Sequence, residues 1–240
     1  MDNNTLNKRV TLFCGHYGSG KTNIAVNWAL HLRKMGHSVA IADIDVVNPY
    51  FRTKDSQREL EEAGVEVIAL PFANTSVDLP SLPQEVYGLV QRRDKKVVMD
   101  IGGDDRGAYA LGRYRPYILE ENDFANLFVV NFFRPLTRTA AEALEVFREV
   151  EAAAGIPFTG IINNSNIGAE TKIEDVNGTK ALAEELAELT GVPVVMTTVE
   201  KSLCEKAEDE SFFSLKLQKN YFKHIKGCHY GKSNIRHRHM

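Results

Sequence analysis

The chain has 240 residues, 43% hydrophobic and 25% charged, ordinary values for a protein that buries a core. That length suits one α/β domain, or one domain with a tail. A formal net charge of −3 gives no global basis for binding nucleic acid, and no apolar run approaches the length of a membrane span.

Val10 to Cys14 is a short apolar run leading into glycines and is predicted to be a buried strand. Thr22 to Met35 follows, with Ile24, Ala25, Trp28, Leu32 and Met35 at helical spacing. Ser38 to Ala42 is a second strand, Arg58 to Ala63 a helix, and Val65 to Leu70 a strand. A helix opening with proline spans Pro83 to Arg92. Strands at Lys96 to Ile101 and Leu127 to Phe132 precede a long Ala- and Glu-rich helix from Thr137 to Ala154. Phe158 to Asn163 is a strand, Asp175 to Leu189 a helix, and Val192 to Thr197 a last strand. Apolar strands alternating with helices predict an α/β fold: a mostly parallel twisted sheet with helices on both faces. Ligands of such sheets bind beyond the carboxyl ends of the strands.

The remaining residues suggest a division at 210. Residues 211–240 carry Lys216, Lys219, Lys223, Lys226, Lys232, Arg236 and Arg238 with no Asp or Glu. Residues 1–210 are expected to form the main domain and 211–240 a basic tail. Phe212, Phe213, Leu215, Leu217, Tyr221, Phe222 and Ile225 interleave with the lysines. A helix packed on the domain is expected there, with membrane or partner contact as the alternative. Cys14, Cys204 and Cys228 lack metal or redox spacing, and Met1 to Arg9 lacks a signal-peptide core. A cytoplasmic protein with reduced thiols is expected.

Gly15-His16-Tyr17-Gly18-Ser19-Gly20-Lys21-Thr22 fits G-x-x-x-x-G-K-[ST] in full. The glycines let the backbone curl so that its N–H groups face phosphate oxygens, and the following helix adds its positive end. Lys21 is expected to reach the β- and γ-phosphates, and the Thr22 hydroxyl to bind Mg²⁺. Two acidic segments accompany this phosphate loop. Asp43 and Asp45, at i and i+2, lie on one side of an extended strand. Asp100 ends the strand Val97-Val98-Met99-Asp100-Ile101 before Gly102 and Gly103, and is expected near Mg²⁺.

The three elements together resemble the MinD/ParA/Mrp group of P-loop ATPases, the CobQ/CobB/MinD/ParA nucleotide-binding domain, over about residues 10 to 200. The resemblance implies that Asp45 orients the attacking water and that Asp43 supports the metal side. It also implies an adenine-reading Asn at the end of a later strand, either Asn164 or Asn163, with Pro193 and the residues after Thr197 lining the base pocket. No N-K-x-D motif is present, which argues against guanine. The family's signature Lys reaches across a homodimer to the partner's nucleotide. His16 stands at that position here and does not carry a fixed charge at neutral pH. The Cys-x-x-Cys of Mrp-type iron–sulfur carriers is absent.

The expected function is a Mg²⁺-dependent, slow ATPase that binds ATP and acts as a nucleotide-dependent switch on a protein partner. One alternative is a carboxylate-activating ligase of the CobQ or dethiobiotin-synthetase type, with Arg106, Tyr109, Arg113 and Tyr114 lining a substrate pocket. The other is a nucleotide-binding module without turnover. Among Arg106, Arg113, Arg115 and Arg134, one is a candidate to bring positive charge to the γ-phosphate.

Overall fold

Strand β1 (Val10–Cys14) is buried at every position. In an extended chain, alternate residues face opposite ways. Val10, Leu12 and Cys14 accordingly belong to one apolar cluster and Phe13 to another. The sheet thus has a core on each face, as an all-parallel sheet requires. The structure, a computed structural model, describes residues 3–44, 57–69, 84–103, 111–207 and 212–217.

After β1 come α2 (Lys21–Lys34), β2 (Val39–Ile44), α3 (Gln57–Glu62), β3 (Glu66–Ala69), α4 (Gln84–Gln91) and β4 (Lys96–Ile101). A short α1 (Asn3–Leu6) precedes β1. The second half contains α5 (Arg115–Glu121), β5 (Phe124–Val130), α6 (Ala140–Ala154), β6 (Gly160–Asn163), α7 (Ile173–Gly178), α8 (Lys180–Thr190), β7 (Val194–Glu200), α9 (Lys201–Ala207) and β8 (Phe213–Leu215). The eight strands lie in the order β3-β2-β4-β1-β5-β6-β7-β8, and every pairing is parallel. The predicted α/β architecture, a parallel sheet covered on both sides, is the one observed. One face packs against Ile24, Ala25, Trp28 and Leu32 of α2 and Leu60 of α3. The other packs against Leu89 of α4, Ile118 of α5, Phe147 of α6 and Leu186 of α8. Among the described residues no helix is long and apolar enough to cross a membrane.

Several boundaries differ from the sequence expectation for identifiable reasons. The long helix begins at Ala140 rather than Thr137, because the Thr139 hydroxyl accepts the Glu142 N–H at 3.2 Å and caps it there. The helix expected from Asp175 to Leu189 is two helices. At the break, the Thr179 hydroxyl donates to the Val176 carbonyl at 2.8 Å and accepts from the Asn163 amide at 3.0 Å. The start of the basic tail is a strand, not a helix. Phe213 pairs with Thr198 and Leu215 with Glu200, and the Phe213 ring also packs at a tilt on Trp28 and edge-on to His31 of α2. That strand is held to α2 by a reciprocal pair: Asn27 Nδ2 donates to the Lys216 carbonyl at 3.0 Å and Asn27 Oδ1 accepts the Lys216 N–H at 2.9 Å.

Candidate functional site

The phosphate loop is the link between β1, at the centre of the sheet, and α2, and its conformation depends on its glycines. Gly15, Gly18 and Gly20 have φ of 146°, 79° and 92°, the region open to glycine. Space imposes the same choice. A Cβ on Gly15 would meet the Val129 carbonyl oxygen at 2.3 Å, and one on Gly20 would meet Asn164 Nδ2 at 2.3 Å. The loop is therefore wedged between β5 and the turn after β6. On its outer side, a Cβ on Gly103 would fall 2.7 Å from Tyr17 N and Cα and 2.8 Å from Lys21 Nζ. The glycine turn after β4 closes directly on the loop.

Lys21 is buried, and its ammonium donates to the carbonyls of Gly15 at 3.0 Å and His16 at 3.1 Å. The ammonium thus lies inside the curl that a phosphate chain would enter. His16 Nδ1 lies 3.1 Å from the Tyr17 carbonyl, and Tyr17 stands 67% exposed at the rim. The Ser19 hydroxyl is buried without a hydrogen-bond partner, and the Ser19 N–H donates to the His16 carbonyl at 3.2 Å.

Strand alternation delivers the acidic partners. Val39 and Ile41 of β2 and Val98 of β4 face the α2 side of the sheet, so Asp43 and Asp100 face it too. The register places them side by side, Asp43 opposite Asp100, and Asp100 opposite Phe13 of β1. Both carboxylates are buried. The Thr22 hydroxyl donates to Asp100 Oδ2 at 2.5 Å. Two adjacent buried carboxylates demand positive charge, and Lys21 and the positive end of α2 face the same space. Among the described residues, no group of three or more His, Cys, Asp or Glu side chains assembles a metal cage. Two carboxylates and a hydroxyl beside a phosphate cradle instead suit Mg²⁺, which takes few protein ligands and completes its shell with phosphate and water. The residues present therefore fit a Mg²⁺-nucleotide. Asp45 lies outside the described residues.

Cys14, at the end of β1, is fully buried, and burial pushes its thiol up to about 12; Lys21 pulls it down and Asp100 raises it further, each more weakly. Its side chain belongs to the cluster on the face opposite α2, and as a buried, undissociated thiol it is inert.

The two asparagines after β6 have separate duties. Asn163 is spent on protein partners: its amide donates to Thr179 at the break between α7 and α8, and its Oδ1 accepts the Ser165 N–H at 3.2 Å and the Ser165 hydroxyl at 2.6 Å. Asn164 reaches the phosphate loop, where Nδ2 donates to the Ser19 carbonyl at 2.6 Å and Oδ1 accepts the Thr198 hydroxyl from β7. Beside it is a small cleft lined by residues including Asn164, Asn166, Thr171, Thr198, Val199 and Glu200. Thr198, Val199 and Glu200, which follow Thr197, line it. Pro193 does not: it precedes β7 at the opposite end of the strand, where its carbonyl accepts the Ile161 N–H at 2.8 Å.

The expected substrate pocket of the ligase reading loses one member. Tyr114 is fully buried and packs on Tyr87 with ring centroids 4.6 Å apart, and burial raises its hydroxyl well above the usual range. Arg113 is exposed, whereas Arg106 and Tyr109 lie outside the described residues. Sequence reasoning brought Gly102 and Gly103 toward the γ-phosphate but missed the direct contact of Gly103 with the loop and Thr198 as the anchor of Asn164. A Gly-Gly pair after an acidic strand signalled the first; nothing local signalled the second, whose partner is 34 residues away.

No protein-family profile matches the chain. Among curated proteins, the signal recognition particle protein of Mycobacterium leprae is 32% identical over 205 residues, 81% of this chain and 35% of that protein. The chain thus spans about a third of the length of this relative. Among solved structures, the signal recognition particle receptor FtsY from Elizabethkingia anophelis in complex with GDP superposes with a TM-score of 0.55 at 18% identity, over 80% of this chain and 58% of that one. Chloroplast FtsY from Physcomitrella patens gives 0.56 at 18% identity over 80% and 58% of the two chains. Cell division protein FtsY from Thermotoga maritima gives 0.53 at 21% over 80% and 62%. These likenesses place the fold among the P-loop NTPases. The resemblance to the MinD/ParA group holds at that coarser level, since these matches are signal recognition particle proteins and receptors.

Proposed function

We propose that this P-loop NTPase fold works as a Mg²⁺-dependent nucleoside triphosphatase whose triphosphate and diphosphate states present different surfaces to a protein partner. The observation that carries the reading is the Thr22–Asp100 contact beside Asp43, set against the phosphate loop. Loop amides and Lys21 hold the β- and γ-phosphates, and Thr22, Asp43 and Asp100 hold the metal side. Bound Mg²⁺ would neutralise charge on the phosphate oxygens. Asp45 is assigned the attacking water, following the resemblance to MinD/ParA proteins. The Gly102–Gly103 turn, in contact with Tyr17 and Lys21, is the element that senses the γ-phosphate. The partner, a homodimer among the options, acts on this face in the cytoplasm, and the basic residues of 211–240 form a separate contact.

The base is read as adenine, making ATP the substrate. Guanine presents two adjacent N–H donors that a single carboxylate accepts together, and the turn Asn163-Asn164-Ser165-Asn166 contains none. The GDP held by the FtsY structure favours GTP as a second reading. Its recognition would then fall to Glu200, a carboxylate at the cleft whose Oε2 accepts the Ser202 N–H at 3.0 Å.

The test is phosphate release from ATP and from GTP with Mg²⁺, for wild type, Lys21→Ala, Thr22→Ala and Asp45→Ala, with light scattering of each state. Turnover of one nucleotide, lost in all three variants, is expected. A wild-type protein that binds neither nucleotide would overturn the reading. Preference for GTP that disappears in Glu200→Gln would replace adenine by guanine.

A further inference from the structure

Four arginines were candidates to bring charge to the phosphates. Arg106 is outside the described residues, and two others are not placed there: Arg113 is exposed on the stretch leading into α5, and Arg115 packs at the far end of α6, where a Cβ on Gly155 would come within 2.9 Å of its Nη1. Arg134 differs. Its side chain lies over the phosphate loop, with Nε 3.9 Å and Cδ 4.0 Å from the position of a Cβ on Gly18. It is exposed, and its guanidinium makes no hydrogen bond or ion pair with any described residue.

The backbone that carries it is braced. The Arg134 N–H donates to the Asn131 carbonyl at 3.0 Å, and the Thr137 N–H donates to the Arg134 carbonyl at 3.3 Å. Asn131 Oδ1 accepts the N–H groups of Phe133 at 3.0 Å and Asn166 at 3.3 Å, and Asn131 Nδ2 donates to the Asn166 carbonyl at 3.0 Å. The turn holding Asn166 is the one whose Asn164 grips Ser19. Arg134 is thereby fixed relative to the loop through two asparagines. Gly18 lies three residues before Lys21, in the part of a phosphate loop whose amides meet the oxygens between the β- and γ-phosphates.

We infer that Arg134 is a nucleotide-contacting residue whose guanidinium reaches the β–γ region of the bound triphosphate from within the same chain. Charge accumulates there as the terminal phosphoryl group departs, so a planar cation with several donors stabilises that departure. This inference rests on the reading of the loop as a nucleoside triphosphate site.

The experiment titrates full-length protein with Mg²⁺ and, separately, a non-hydrolysable ATP analogue, a non-hydrolysable GTP analogue, ADP and GDP. It compares wild type with Lys21→Ala, Arg134→Ala, Arg134→Lys and, as a neighbouring exposed control, Arg138→Ala. Arg134→Ala is expected to weaken the triphosphate analogue about 10-fold or more and the diphosphate much less, as for loss of one charge-assisted contact, with unchanged melting temperature. Arg134→Lys retains part of the affinity, and Arg138→Ala matches wild type. Single-turnover hydrolysis in Arg134→Ala is expected to fall about 100-fold or more. Equal affinities in Arg134→Ala and wild type, while Lys21→Ala loses binding, would overturn this inference alone. Equal loss for diphosphate and triphosphate would overturn the β–γ placement. Absence of binding in wild type would remove the nucleotide reading itself.

Discussion

Replacing Asn164 by alanine removes, in one step, the contacts that tie the phosphate loop to β7. Asn164 is 3% exposed, so water does not readily replace its amide. Two hydrogen bonds are lost, to the Ser19 carbonyl and from the Thr198 hydroxyl. Each contributes about 0.5–1.5 kcal/mol net, and leaving buried partners short of a bond adds about 1–3 kcal/mol. The expected destabilisation is about 2–4 kcal/mol, a large part of the stability of an ordinary domain. Urea unfolding measures it as a lower midpoint at constant slope. Nucleotide affinity falls in parallel, because the Ser19–Gly20 peptide is no longer held. Geometry supplies a sharper check. A Cβ at Gly20 would sit 2.3 Å from the same Asn164 nitrogen. Gly20→Ala therefore carries both a clash and the cost of a left-handed alanine, about 1–2 kcal/mol. In an Asn164→Ala background the clash is gone and only the backbone cost remains, so the double variant loses less than the sum of the singles. Strict additivity, or an unchanged midpoint in Asn164→Ala, would refute the account of the loop as clamped by this side chain.

Three further outcomes follow from groups away from the phosphates. Arg9→Ala is expected to cost about 3–5 kcal/mol in urea unfolding, because it strands the buried carboxylate of Glu121 and uncaps the carbonyls of Leu89, Val90, Arg92 and Lys95. His31 has its pKa lowered, by burial first and by Lys34 second; the unfolded chain then binds the proton more tightly, so stability is lost as pH falls through about 6.5. His31→Phe should flatten that part of the stability–pH curve, and an unchanged slope would show the acid sensitivity arises elsewhere. Cys14, with its thiol held near 12, should resist iodoacetamide at pH 8 in a Cys204→Ser/Cys228→Ser background and react once urea unfolds the chain; prompt labelling of the folded protein would contradict its burial.

Much of this was legible in the residues. Val10–Cys14 and Lys96–Ile101 form strands with the predicted bounds, because unbroken β-branched and apolar runs ending at glycine admit little else. The same alternation that identified the strands put Asp43 and Asp100 on the face carrying the phosphate loop. The start of α6 was also readable: Thr139 followed three residues later by Glu142 is a capping signature, stronger than the apolar spacing that extended the helix to Thr137. The beginning of the tail was not readable. Phe212 to Leu217 interleaves apolar and polar residues in a way that suits a short helix as well as a strand, and what decides is pairing with Thr198 and Glu200 and the grip of Asn27 on Lys216. The separate roles of Asn163 and Asn164 were hidden for the same reason. Adjacent identical side chains are distinguished only by which partner each one faces.

The position of β1 has a consequence for how the chain is made. Its ladders join Val10 to Val97 on one side and Val10 to Phe124 on the other, so the strand that launches the phosphate loop has no sheet neighbour until much of the chain exists. Closing such distant pairs costs loop entropy before any contact returns it. Helix α2 waits longer still, since Asn27 completes its bonds with Lys216. A nascent chain that has emerged only to residue 90 therefore displays the complete loop motif with neither flank of its strand in place. Vectorial synthesis presents the residues of the glycine loop first and fixes them among the last.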